Sequence, residues 1–152
     1  MTMSLATSLE GADRMELFAR ARKLAKSVGS SEILFKIHVK TGQSLFEQQE
    51  FTQAEESLRS AINLWKALGS DPDNSQRLLH GMAYLDLGRT LAAVDRKQEA
   101  ITALKQSIEI LEKLVAVTPD NRIVQANLKA SRNMLAELSP LENSKTTESE
   151  KQ

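Results

Sequence analysis

The reading of the fold turns on AYLDLGRTL, residues 83–91. Its residues suit a helix, yet Gly88 sits in the middle of it. A mid-helix glycine costs about 0.5–1 kcal/mol relative to alanine. It is tolerated where a partner backbone comes too close for a Cβ. The same pattern stands upstream. Gly42 and Gly88 are 46 residues apart, as are Leu45 and Leu91, Ala54 and Ala100, Leu58 and Leu104, Ile62 and Ile108, and Leu68 and Leu114. Ala61 is matched by the small residue Ser107, and Pro-Asp-Asn recurs at 72–74 and 119–121. The chain therefore repeats at about 46 residues, each unit being a helical hairpin. Ala54 and Ala100 fall early in the second helix of each unit, where they can face the glycine.

Composition agrees. Leu, Ala, Glu, Gln, Lys and Arg dominate, only 3 prolines and 6 glycines interrupt, and aromatics are 4%. These are strong helix formers, so an all-α protein is expected. The 152 residues make one domain with a proper core. Lys plus Arg equals Asp plus Glu at 20 each, which gives no global basic field for nucleic acid or anionic membranes. Cysteine is absent, so disulfides, thiolate zinc sites and cysteine nucleophiles are excluded. MTMSLATSLE has neither a basic n-region nor a continuous apolar stretch, and no run approaches a membrane span. The expected location is the cytoplasm.

Breakers divide the chain into about six helical blocks, near 12–28, 32–48, 52–68, 75–94, 97–117 and 122–138. The domain is expected over 12–138, with clear repeats at 33–72 and 79–119 and flanking helices at 12–28 and 122–138. Residues 1–11 are expected to be a flexible N-terminus, and the polar run from Ser139 a disordered tail. Ser31, Thr52 and Asp95 are candidate N-caps for the second, third and fifth helices.

The repeat resembles the tetratricopeptide repeat (TPR) family. The second copy carries Tyr84, Leu87-Gly88, Leu91, Ala100, Leu104 and Ser107; the first carries His38, Thr41-Gly42, Leu45, Ala54, Leu58 and Ala61. QEFTQAEESL, residues 49–58, is similar to the family's inter-helix turn and second helix. The family unit is 34 residues. The Gly-to-Ala spacing matches it here, so the extra length lies in a longer second helix and loop. The resemblance implies a right-handed α-helical hairpin array whose terminal helices cover apolar ends.

The resemblance also implies a non-catalytic binding module with a concave groove lined by the first helix of each unit. Carried over by position, the groove includes Lys36, Val39, Gln43, Phe46 and Glu47 from one copy, and Met82, Leu85, Arg89 and Ala92 from the other. Met82 and Phe46 offer adaptable apolar contact, and Arg89 a handle for a carboxylate. Some members grip a partner's C-terminal carboxylate with lysine and asparagine. The matching positions hold Val39, Gln43, Leu85 and Arg89, so chaperone-tail binding is not expected.

No catalytic constellation is found. GxGxxG, GxxxxGK and HExxH are all absent. His38 and His80 lie on different helices and read as structural or solvent-facing, and Trp65 shares a core face with Leu58, Ile62 and Leu68. Glu55-Glu56 read as solvated surface; Asp71 and Asp73 suit turn and cap roles. No cofactor or metal is expected. The expected function is a small adaptor for a protein or peptide partner. The alternatives are an oligomerising structural element, as a homodimer through the first or sixth helix, and a regulatory segment of a larger signalling protein such as a kinase or cyclase.

Overall fold

A computed structural model describes residues 2–69 and 71–140. Among these residues lie six helices and no strand: α1 (Thr2–Ser27), α2 (Ser31–Glu47), α3 (Phe51–Trp65), α4 (Asn74–Ala93), α5 (Lys97–Val117) and α6 (Arg122–Leu138). Consecutive helices pack on one another, and α2, α4 and α6 also touch in turn, whereas α1, α3 and α5 do not meet. The helices thus form two rows. The α2–α4–α6 row is drawn together, which makes it the concave side of the array. Helix α1 leans on α2 as α3 leans on α4 and α5 on α6.

The glycines set how closely the rows pack. A Cβ built on Gly42 would stand 2.6 Å from Leu58 Cγ, and one on Gly88 would stand 2.8 Å from Leu104 Cγ. In both copies the next obstacle is a backbone carbonyl at 3.4 Å, that of Ala54 and Ala100 respectively. The contact is the same, 46 residues apart. Gly81 makes a third close approach that the spacing did not point to, with Leu111 Cδ2 2.7 Å from its notional Cβ. Gly81 and Gly88 are two helical turns apart, as are Leu104 and Leu111, so α4 and α5 mesh along their length.

Each hairpin turns the same way. Gln49 and Asp95 occupy equivalent places with φ of 63° and 60°. There the Glu50 N–H donates to the Leu45 carbonyl and the Arg96 N–H to the Leu91 carbonyl, each at 2.9 Å, closing off the preceding helix. Asp95 is therefore a left-handed turn residue and not the cap of α5; Arg96 stands at that cap without a side-chain bond. Likewise Ser30, not Ser31, caps α2, and Glu50, not Thr52, precedes α3. The Pro-Asp-Asn copies diverge by one residue. Asp73 caps α4 in a reciprocal capping box with Gln76, while in the second copy Asn121 caps α6.

Helix α1 begins at Thr2, ten residues before its expected start. Residues 2–10 contain no breaker, and Gly11 continues the helix where it crosses Gln48. Helix α3 ends at Trp65, earlier than expected, and the described residues 66–69 and 71–73 add no further helix before α4. The tail expected from Ser139 lies outside the described residues from position 141 onward.

Polar ties inside and at the surface supplement the mainly apolar core. Ser107 Oγ donates to the Gly81 carbonyl at 2.8 Å and meets Ser131 Oγ at 2.9 Å. Both serines are fully buried, so this chain of bonds joins α4, α5 and α6 where neither group can reach water. At the surface, Arg96 reaches Glu55 at 2.6 Å and grips Glu99 with two bonds, while Arg59 bonds Glu55 at 2.8 Å. Burial pushes the Glu55 carboxyl up, but the bonds from Arg59 and Arg96 more than reverse this and hold it low. The network connects α3 to the start of α5, two helices that do not otherwise meet.

Candidate partner-binding groove

The concave row brings two helix faces side by side. On α2, positions 36, 40, 43 and 47 share one stripe; on α4, positions 82, 86, 89 and 93 do. The two stripes are joined by one bond: Gln43 Nε2 donates to Asp86 Oδ2 at 2.8 Å. Arg89 Nη1 stands 3.4 Å from the other oxygen of the same carboxylate. Of the expected residues, the structure thus brings Gln43 and Arg89 together, through an aspartate that sequence reasoning missed. Asp86 is almost fully buried, and burial raises its carboxyl pKa; the Gln43 bond, Arg89 and Lys40 pull the other way.

Other expected residues stand elsewhere. Val39 and Leu85 are 0% and 1% exposed, so neither offers a surface to a partner. Val39 packs with Phe35, Ala61 and Ala83 in the core. Each lies one residue off the groove stripe, a 100° rotation, and their successors Lys40 and Asp86 occupy it instead. Phe46 packs against Phe51 at 5.5 Å, and Ala92 lies against the Leu58–Leu87–Leu91 cluster. Both turn toward these inner contacts and off the groove stripe. Lys36 is exposed and paired with Glu32, Glu47 is exposed and paired with Arg14, and Met82 is half-buried. The signal that finds the right stripe is the spacing of 3 and 4 counted back from Gln43 and Arg89.

The histidines are structural. His80 stacks on Trp65 with ring centroids 4.0 Å apart and planes 10° apart; Phe35 and Tyr84 extend the ladder at its two ends. Burial alone lowers the His80 pKa to about 4. His38 lies near Arg22 and Lys26 of α1; burial first, then those two charges, lower its pKa as well. Its buried Nδ1 has no hydrogen-bond partner. Among the described residues no group of three or more His, Asp or Glu side chains could hold a metal ion, and no helix is long and apolar enough to cross a membrane.

Residues 34–113, more than half of the chain, match the tetratricopeptide repeat. The chain belongs to the tetratricopeptide repeat family. The match spans α2 to α5 and so covers both hairpins that carry the glycine contacts. TPR domains generally mediate protein–protein interaction, and the family is typically non-catalytic. No curated protein matches the chain.

The lowered His80 pKa has a defined consequence. The folded protein keeps His80 neutral while the unfolded chain binds a proton near pH 6.5. The resulting stability is present above pH 6.5 and is lost as pH falls toward 4. His80→Phe retains a ring on Trp65 and removes the titration. Its melting temperature should fall less between pH 7 and pH 5 than that of the wild type, as read by circular dichroism.

Proposed function

We propose that this TPR domain is an adaptor that binds an acidic peptide segment of a partner protein along the α2–α4 groove. The observation that carries the reading is the Gln43–Asp86–Arg89 cluster. It fixes polar groups at the meeting of the two stripes, in a row of helices the family uses for binding. Lys36 and Lys40 add positive charge on the α2 side, and Lys40 makes no ion pair among the described residues. Gln43 spends its amide N–H on Asp86 and keeps its carbonyl oxygen for a peptide N–H. Side chains already held in place cost a ligand less ordering entropy on binding.

Selection from a random peptide library, followed by titration of the enriched peptide, tests this. The enriched sequences should carry Asp or Glu. Lys40→Glu and Arg89→Glu should each weaken the peptide by about tenfold or more, roughly 1.4 kcal/mol, without changing helicity. Failure to enrich any peptide, or binding by both variants as tight as by the wild type, would remove the groove from consideration.

A second reading, self-association through α1, is favoured by one observation. Leu17 and Leu24 are each more than 60% exposed and lie two turns apart on one side of that helix, and Val28, exposed to the same degree, follows just past its end. Light scattering across a concentration series decides it. Self-association gives a mass that rises toward the dimer and returns to the monomer in Leu17→Lys/Leu24→Lys; a constant monomer mass sinks it.

A further inference from the structure

Away from the groove, the early end of α3 leaves a cavity of about 440 Å³ among the ends of α3, α4 and α5. This is within the size range of small-ligand sites, roughly 300–1,000 Å³. Its floor is the Trp65–His80 stack. Ile110, Leu114 and Val117 form one wall, and Val117 is 62% exposed at the rim. Among the described residues, the only charged groups lining it are Arg77 and Lys113, both cationic. Their own carboxylate partners, Asp71 and Glu109, are exposed and lie outside the lining, where ion pairs contribute little and can be exchanged.

From this arrangement we propose that the cavity binds a small amphipathic carboxylate, an aliphatic chain of medium length with its headgroup between Arg77 and Lys113. The wall is aliphatic, which suits a chain. One face of the Trp65 indole is covered by His80 and the ring also meets Phe35, so its edge is what a ligand touches. His80 is uncharged at neutral pH, because burial lowers its pKa to about 4, and the floor stays apolar. The two cations then select an anion over a neutral or cationic chain. This site is independent of the α2–α4 groove and could hold a ligand whether or not a peptide binds there.

Trp65 is the only tryptophan and reports on the cavity directly. Its emission should change saturably with octanoate, with octanol binding about tenfold more weakly and octylamine weaker still. Arg77→Gln/Lys113→Gln should erase the preference for octanoate over octanol. Val117→Asp, at the exposed rim, should weaken octanoate without altering the melting temperature. Absence of a saturable change, equal affinity for octanoate and octanol, or an unchanged preference in the double variant would each overturn the assignment.

Discussion

Everything in this array follows from how closely the two helices of a hairpin approach. Gly42 and Gly88 each leave a space that a leucine of the partner helix fills, so α2 meets α3 and α4 meets α5 through equivalent close contacts. Leu58 and Leu104 are fully buried in those spaces. Dispersion and hydrophobic burial at the contact offset the helix propensity lost at the glycine. Because the contact recurs at 46 residues, the two hairpins are near copies. Near copies stack with their first helices on one side, which places Gln43 within reach of Asp86. The groove is a consequence of the packing.

Much of this was legible in the sequence, for a physical reason. A glycine in an otherwise strong helix has few explanations, and a second one at the same offset from Ala and Leu leaves close packing as the natural one. The order of helices and the hairpin loops followed from breakers that act locally. What was not legible depends on rotation about a helix axis or on distant partners. Val39 and Leu85 were placed in the groove and lie in the core, because one residue of phase turns a side chain by 100°. Asp86 reads as a surface acid until α2 covers it. The role of Gly81 is visible only once Leu111 is known to face it. Helix α1 starts ahead of the expected boundary because nothing in its first residues opposes a helix.

The surface is divided by chemistry. The concave side carries partly buried polar groups held by one another, whereas the Glu55–Arg59–Arg96–Glu99 network ties α3 to the second turn at the surface. That network adds a polar link between α3 and the start of α5 to the packing of α2 and α3 on α4 that joins the two units. The buried Ser107–Ser131 pair serves the same end for α5 and α6. The relative placement of the units, on which any groove depends, thus rests on a few polar contacts added to the apolar core.

The most direct measurement of the central claim is a double-mutant cycle between Gly88 and Leu104, read as unfolding free energies in urea. Gly88→Ala gains about 1 kcal/mol of helix propensity but overpacks Leu104, a cost of about 1–3 kcal/mol. Leu104→Ala empties the site at about 2–5 kcal/mol. With both changes the new methyl group has room. The double variant should therefore be more stable than the sum of the single changes predicts, by about 1 kcal/mol or more. Additivity within about 0.3–0.5 kcal/mol would mean that Gly88 and Leu104 do not share a space, and the close approach would not be what sets the array.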